Sequence, residues 1–182
     1  SDVYKRQVEQ GGIGNVLNVQ VRFSVPPRDL DYTSGKEMPW RLQPDISGGG
    51  YFYDLAPHQI DLLQDIFGVI TRAHGYPANR AHLYEAEDTI SACFYFESGI
   101  PGSGSWCFVG HESAKEDRIE IVGDKGSLSF SVFDYDPILL VTSAGKTSIV
   151  VPNPSYVQLP IIKTVIEDLQ GIGTCESTCV AA

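Results

Sequence analysis

A series of short apolar segments separated by turn residues constrains the fold of this chain more than any other feature. The segments are rich in β-branched and aromatic residues, which is typical of strands. They cover residues 16–25, 69–79, 88–97, 104–112, 117–122, 127–133 and 138–142. Because consecutive strands joined by short links pair most readily in antiparallel order, the pattern predicts a meander that forms one large, mostly antiparallel sheet.

Two helices are predicted beside these strands. The first covers residues 54–67, where apolar residues take one side of a helical wheel and acidic residues the other. Gly68 follows as a C-terminal cap, and Pro57 falls in the first turn, where its missing N–H costs nothing. The second helix runs from near Tyr156 to Gly171. The sequence therefore predicts an α+β fold with the helices packed on one face of the sheet.

The opposite face of the predicted sheet is expected to be covered as well. Residues 91–96 carry apolar side chains on both faces of the strand, which is typical of strands buried on both sides. A broad apolar face of this kind indicates contact with another protein surface. We therefore expect identical chains to form a homo-oligomer through the sheet.

Turn residues define the ends of two further elements. The sequence Gly123-Asp124-Lys125-Gly126 suits a tight hairpin between the strands on either side. Residues 8–10 are expected to end a helix that Gly11-Gly12 closes, and the polar residues 1–7 before them are expected to fray.

The helix over residues 54–67 also carries a candidate general acid/base pair. Asp54 and His58 are four residues apart and therefore share one helical face. A histidine beside a carboxylate that fixes its tautomer is a workable general acid/base. Such pairs are also common on ordinary helices, where Asp54 would cap the N-terminus and His58 would lie half exposed. Spacing alone leaves both interpretations open.

Several motifs in this chain fall in the order and spacing of one family. They are Pro39-Trp40-Arg41, Ser47-Gly48-Gly49-Gly50, Asp54, His58 and Asp61, together with Gly11-Gly12-Ile13-Gly14, Glu87-Asp88, the hairpin at residues 123–126 and Tyr156-Val157-Gln158-Leu159-Pro160. With them the chain resembles, over nearly its whole length, the C-terminal domain of the glucose–fructose oxidoreductase / inositol dehydrogenase (Gfo/Idh/MocA) family.

The resemblance implies half of a two-domain NAD(P)-dependent oxidoreductase. Family members join an N-terminal Rossmann domain, which binds NAD or NADP, to a C-terminal sheet domain that completes the substrate pocket. A dinucleotide fold needs a Gly-x-Gly-x-x-Gly turn after a strand, and no glycine cluster here has that setting. The family's Glu-Lys-Pro lysine also has no counterpart. We therefore interpret residues 1–182 as a single substrate-binding and oligomerisation domain that lacks its Rossmann domain and is inactive alone.

The resemblance also implies roles for individual residues. His58 would take the hydroxyl proton of a sugar or polyol as a hydride leaves the same carbon for the nicotinamide. Asp54 would orient His58 or bind a neighbouring hydroxyl. Trp40 and Arg41 would lie near the cofactor, with Arg41 also reaching the substrate, and Tyr156 would line the substrate pocket. The residues alone allow Trp40 to be a packing anchor covered by the stem of Arg41.

Composition excludes several classes of partner. The net charge is −10, with 13 basic residues scattered among 23 acidic ones, which disfavours nucleic acid and anionic membranes. No apolar stretch of about 18 residues and no signal peptide is present, but a chain without its N-terminal half would also lack a targeting sequence. The expected localisation is cytoplasmic. The four cysteines lack Cys-x-x-Cys spacing and are expected to be reduced. Cys175 and Cys179 have no third ligand nearby, and His74, His82 and His111 lie in no motif, so no metal site is predicted.

Two functions of different class follow. The first is the substrate-binding half of a sugar or polyol dehydrogenase, and the second is a non-enzymatic binding or assembly domain without a cofactor. The retention of Asp54 and His58 beside Trp40 and Arg41 favours the enzyme, because a binding domain has no chemical reason to keep that set. A Rossmann fingerprint in the upstream reading frame would decide between them.

Overall fold

The computed structural model describes residues 2–28, 38–152, 156 and 158–175. Within these residues, eight strands form one sheet in the order β2-β3-β4-β1-β5-β6-β7-β8. The strands are β1 (Val16–Ser24), β2 (Ile70–Ala78), β3 (Thr89–Phe96), β4 (Pro101–Cys107), β5 (Glu116–Gly123), β6 (Gly126–Phe130), β7 (Ile138–Thr142) and β8 (Gly145–Ile149). Among these eight, only β1 and β4 pair in parallel. The predicted α+β fold with a large, mostly antiparallel sheet is confirmed.

The order of the strands departs from a simple meander where the first strand enters the sheet. β1 lies between β4 and β5, with Val21 opposite Gly104 on one side and opposite Ile119 on the other. The prediction that consecutive strands pair is therefore wrong for β4 and β5. The connection between β4 and β5 is long enough to include the short 3₁₀ helix Glu112–Ala114. It can therefore cross from one side of β1 to the other.

Most predicted strand ends agree with the structure to about one residue. β4 is the main exception, since it covers Pro101–Cys107 rather than residues 104–112. β6 ends at Phe130, and the chain continues as a loop to Pro137. The hairpin through Asp124 and Lys125 is confirmed, because it joins β5 to β6 in antiparallel order. β8 was not predicted, because the segment Gly145–Ile149 is mostly polar and exposed.

In the described part of the chain, four α-helices accompany the sheet: α1 (Asp2–Glu9), α2 (Pro44–Ser47), α3 (Tyr51–Phe67) and α4 (Leu159–Leu169). None of these four combines the length and apolar character needed to cross a membrane. α1 includes residues that were expected to fray. It is held by Tyr4, whose ring stacks on Phe130 at 3.9 Å between centroids, and by Lys5, whose Nζ lies 3.1 Å from Asp65 Oδ1 on α3.

α3 begins before the predicted start at Asp54. Gly68 closes it as predicted, with φ of 82° and its N–H donating to the Gln64 carbonyl at 2.9 Å. The placement of Pro57 in the first turn is wrong, because the helix starts at Tyr51 and Pro57 lies in its interior. Pro57 has no N–H, so the Tyr53 carbonyl lacks the donor that a helix normally supplies four residues on.

The core lies between α3 and one face of the sheet. The edge of the Phe52 ring meets the Trp106 ring at 5.1 Å between centroids. Glycines on β4 make room for the aromatic rings, because a Cβ at Gly102 would clash with the Phe94 ring and one at Gly104 would clash with the Trp106 ring. The two glycines therefore let large rings lie across the strand beneath α3.

α4 contributes no buried residue to this core. Its apolar side chains are all substantially exposed, from Val165 at 41% to Leu169 at 83%. The packing of this helix on the sheet face that holds α3 therefore stays a prediction.

In the described part of the chain, the other face of the sheet is open. On β3, Phe94 and Phe96 are buried toward α3, while Cys93 and Tyr95 point outward and are exposed. The neighbouring Tyr76 on β2 is 70% exposed. This open face is the surface that the sequence predicts to be covered by another copy.

Candidate functional site

The glycine turn before α3 brings the backbone close to the loop that precedes β3. The Gly50 N–H donates to Glu87 Oε1 at 2.9 Å. A Cβ at Gly49 would clash with the Tyr53 ring, and one at Gly50 would lie 2.7 Å from the Glu87 carbonyl oxygen. The glycines are therefore required by close packing, and a carboxylate already occupies the helix N-terminus, where a phosphate could otherwise bind.

Asp54 lies in the first turn of α3 and pairs with Arg41 from the short 3₁₀ helix Trp40–Leu42. Arg41 Nε donates to Asp54 Oδ2 at 2.9 Å, and the Arg41 guanidinium carbon lies 4.4 Å from the centroid of the Trp40 ring. Because both side chains of the pair are about 35–42% exposed, the pair adds little to stability. Its main effect is to hold Trp40, Arg41 and Asp54 in one cluster.

A small cavity lies beside this cluster. It is lined by Trp40, Arg41, Ser47, Gly50, Tyr53 and Asp54, and its volume is about 60 Å³. Sites for small organic ligands usually span about 300–1,000 Å³. The cavity is therefore too small to enclose such a ligand within the described part of this chain.

A larger cleft of about 560 Å³ is lined by a separate set of residues. Its lining combines α2 and the residues before it with part of the loop between β2 and β3: Met38, Leu42, Gln43, Pro44, Asp45, His82, Leu83, Tyr84 and Glu85. None of the predicted site residues belongs to it.

His58 lies one helical turn after Asp54 and is exposed. Its ring and the Phe133 ring meet edge to face, with centroids 6.0 Å apart and planes at 84°. Within the described residues the polar partner of Asp54 is Arg41, and no hydrogen bond joins Asp54 to His58. The alternative in which Asp54 caps α3 is wrong, because the N-cap is Gly50. The orienting and proton-transfer roles stay predictions.

Tyr156 is not brought into this cluster. It precedes α4, is 72% exposed and does not line the small cavity. Its substrate-lining role stays a prediction.

Sequence reasoning missed the buried residue next to His58. Gln59 is fully buried and contacts Trp106 and Asp117 through hydrogen bonds. Its position seven residues after Phe52 places it on the apolar side of α3. That position could have predicted a buried amide, which requires hydrogen-bond partners.

The Tyr4 hydroxyl lies near Asp117. Burial and, to a smaller extent, the negative charge of Asp117 raise the pKa of this hydroxyl.

The described residues contain no group of three or more His, Cys, Asp or Glu side chains arranged to hold a metal ion. Cys93 and Cys107 are free thiols, as predicted. Cys175 is buried, with its Sγ 3.7 Å from Thr164 Oγ1, and Cys179 lies outside the described residues. His74, His82 and His111 are exposed, in agreement with their interpretation as surface or loop residues.

Comparison with known proteins identifies the family. Residues 3–129 match the model of the GFO/IDH/MocA C-terminal domain. The chain is 33% identical over 165 residues to Oxidoreductase P35 of Formosa agariphila, an alignment that covers 89% of this chain and 49% of that protein. The chain thus spans about half the length of this relative.

Solved structures show the same fold. A levoglucosan dehydrogenase in complex with NADH superposes with a TM-score of 0.78 at 20% identity, over 97% of this chain and 55% of that one. A protein of Desulfitobacterium hafniense described as an NADPH-dependent oxidoreductase superposes with a TM-score of 0.79 at 21% identity, over 99% and 54%. The sheet, the glycine turn and the family match agree, and the chain belongs to the GFO/IDH/MocA family through its C-terminal domain.

Proposed function

We propose that this chain is the substrate-binding and catalytic half of an NAD(P)-dependent oxidoreductase that acts on a sugar or polyol. The observation that carries the proposal is the arrangement on one face of α3, where Arg41 and Trp40 hold Asp54 and His58 follows one turn later. Levoglucosan dehydrogenase, which shares the fold, has been solved with NADH and levoglucosan. That likeness supports the substrate class.

His58 is the proposed proton acceptor. A neutral imidazole nitrogen takes the proton of the substrate hydroxyl while the C–H bond of the same carbon breaks and its electron pair leaves as hydride. The products are a carbonyl and an imidazolium, which returns its proton to water. NAD(P)⁺, when bound, supplies the hydride acceptor. Because His58 is exposed on this chain, its ring is accessible to a substrate held between two domains.

Asp54 acts in this proposal on the substrate rather than on His58. Its Oδ2 accepts from Arg41, which leaves Oδ1 to accept a hydrogen bond from a second substrate hydroxyl. The ion pair fixes the carboxylate before the substrate arrives, so little ordering is needed on binding.

Among the described residues, Trp40 and Arg41 make this chain's proposed contribution to cofactor binding. The Trp40 ring is 52% exposed and carries the Arg41 guanidinium on one face, which suits contact with a nicotinamide or a phosphate. The N-terminus of α3 does not fit a pyrophosphate, because the Glu87 carboxylate occupies it. In this proposal the Rossmann domain holds most of the dinucleotide and supplies the missing wall of the pocket.

Tyr156 keeps a part in the proposal through its exposure. Its side chain is 72% exposed just before α4, so its hydroxyl is available to a substrate that the second domain holds against this chain. A tyrosine hydroxyl can both donate and accept a hydrogen bond, which suits a substrate rich in hydroxyl groups.

A non-enzymatic binding or assembly domain is the second candidate. One observation favours this candidate. Asp54 is paired with Arg41 and makes no hydrogen bond with His58 within the described residues. An upstream reading frame without a Rossmann fingerprint and a Glu-Lys-Pro lysine would favour this candidate over the enzyme.

Association through the open face of the sheet completes the proposal. Tyr76 and Tyr95 are 70% and 51% exposed on that face, and tyrosines are enriched at protein interfaces. Sedimentation velocity of the complete protein tests this, and a monomer at micromolar concentration would contradict it.

The substrate role of Asp54 is tested in the complete enzyme with Asp54→Asn. A charge-assisted hydrogen bond contributes about 1.5–3 kcal/mol, so kcat/KM should fall roughly 10- to 100-fold. Asp45→Asn, an exposed position on α2, is the matched control and should keep wild-type kinetics. Equal kinetics for Asp54→Asn and Asp45→Asn would remove Asp54 from the site.

A further inference from the structure

A buried chain of hydrogen bonds crosses the core next to His58. Trp106 Nε1 on β4 donates to Gln59 Oε1 on α3 at 2.7 Å, and Gln59 Nε2 donates to Asp117 Oδ1 on β5 at 3.3 Å. Trp106 and Gln59 are almost fully buried, and Asp117 is 9% exposed. Because buried polar groups are costly to leave unpaired, these hydrogen bonds fix Gln59, the residue adjacent to His58.

The second oxygen of Asp117 holds the loop between β6 and β7. Asp117 Oδ2 accepts from the backbone N–H groups of Val132, Phe133 and Asp134 at 2.8, 2.5 and 3.2 Å. Later in the same loop, Tyr135 has φ of 55°, in the left-handed region. A non-glycine residue stays in that region when its surroundings impose it, which agrees with a loop fixed by its hydrogen bonds to Asp117.

The loop places Phe133 between the core and His58. The Phe133 ring packs edge to face with the ring of the core residue Phe23, at 5.4 Å between centroids, and also contacts the His58 ring at 6.0 Å. Within the described residues no hydrogen bond reaches the His58 imidazole. The ring contact with Phe133 is therefore the interaction that can orient it.

We propose that Asp117 is a positioning residue for His58. Its carboxylate holds the loop at residues 132–134 so that Phe133 restricts the His58 ring to one orientation. This inference rests on the proposed role of His58 as the proton acceptor, because orientation limits the rate of a proton transfer. The aspartate thus acts on the site through the loop, without contact with substrate.

The direction of the hydrogen bonds explains why a carboxylate is needed at this position. Indole N–H groups only donate, so Trp106 fixes the Gln59 oxygen as acceptor and the Gln59 nitrogen as donor. Residue 117 must then accept from Gln59 on one side and from three backbone N–H groups on the other. A carboxylate accepts on both sides, whereas an amide has one oxygen and must lose one set of partners.

This polarity provides a rescue variant. Asp117→Asn should release the loop or lose its bond to Gln59. In the double variant Gln59→Glu/Asp117→Asn, the new carboxylate at position 59 accepts from Trp106 and from the amide nitrogen introduced at position 117. The amide oxygen at position 117 then accepts from the loop again. The double variant has the same net charge as the wild type and reverses one hydrogen bond.

The readout is the orientation of the His58 ring, observed by NMR on this chain. In the wild type we expect cross-relaxation between the ring protons of His58 and Phe133. Phe133→Leu, which keeps the loop's backbone, should remove the ring-current shift of the His58 signals. Asp117→Asn should weaken the cross-relaxation at least about twofold, and the double variant should restore it. Trp106→Phe, which breaks the far end of the chain of hydrogen bonds, is the control for lost stability.

Three results would overturn the proposal. The first is unchanged His58 signals in Phe133→Leu. The second concerns Trp106→Phe and Asp117→Asn at equal loss of stability. It is a loss of His58–Phe133 cross-relaxation in Trp106→Phe that is as large as the loss in Asp117→Asn. The third is a folded double variant without restored cross-relaxation, which also decides the matter if Asp117→Asn alone does not fold. None of these measurements uses activity, so loss of the proposed function of His58 would be seen separately in turnover.

Discussion

The two hydrogen bonds of the buried Gln59 amide should contribute several kcal/mol to the free energy of unfolding, about 2–4 kcal/mol in total. Gln59→Met keeps the length of the side chain and removes both hydrogen bonds. Trp106 Nε1, in a side chain 1% exposed, loses its acceptor, which costs about 1–3 kcal/mol. Asp117 Oδ1 loses a donor to a charged group, at about 1.5–3 kcal/mol. Because the amide no longer has to be desolvated, we expect a net loss of about 2–4 kcal/mol.

Urea unfolding followed by tryptophan fluorescence and circular dichroism measures this loss. A loss near 3 kcal/mol should lower Tm by roughly 6–12 °C in a domain of this size. Trp106→Phe in the Gln59→Met background removes the unpaired donor as well. It should therefore cost less than the same change in the wild type, by about 1 kcal/mol or more. A loss below about 1 kcal/mol for Gln59→Met, or strictly additive changes, would refute the reasoning.

Two further predictions concern the packing around the site, and a third concerns the cofactor. Gly104→Ala places a methyl group against the Trp106 ring and should cost about 1–3 kcal/mol of unfolding free energy, whereas Gly75→Ala on the edge strand should stay within about 0.5 kcal/mol. Glu87→Ala removes the acceptor of the Gly50 N–H at the start of α3 and should cost about 1 kcal/mol, with the exposed Glu85→Ala as control. Calorimetric titration of this chain with NADH and NADPH should show no binding, and a micromolar Kd for either would contradict the cofactor assignment.

Local sequence patterns were sufficient for most of the sheet. The strand Ile138–Thr142 and the hairpin at Asp124-Lys125 were predicted because strand propensity and turn chemistry act over a few residues. The insertion of β1 between β4 and β5 was not predicted, since it joins segments far apart in the chain. β8 carries little apolar alternation, because it lies at the edge of the sheet and is mostly exposed.

The candidate site was predicted residue by residue but not as a set of contacts. The spacing of Asp54 and His58 places both on one face of a helix, and that inference needs only helical geometry. The pairing of Asp54 with Arg41 depends on the path of the chain through the glycine turn. The anchoring of the Phe133 loop by Asp117 depends on the antiparallel pairing of β5 with β6, which brings the end of β6 next to the start of β5. Neither partner can be read from spacing along the chain.

The central claim is that His58 transfers the proton, and turnover of the complete enzyme with His58→Ala tests it most directly. A positioned acid/base contributes about 100-fold or more, so kcat should fall by at least that factor while cofactor affinity stays nearly unchanged. His111→Ala, at an exposed histidine outside the site, should keep wild-type turnover. If His58→Ala retained more than about half of wild-type turnover on its best substrate, against the expected loss, the histidine would be a surface residue and the account of this site wrong.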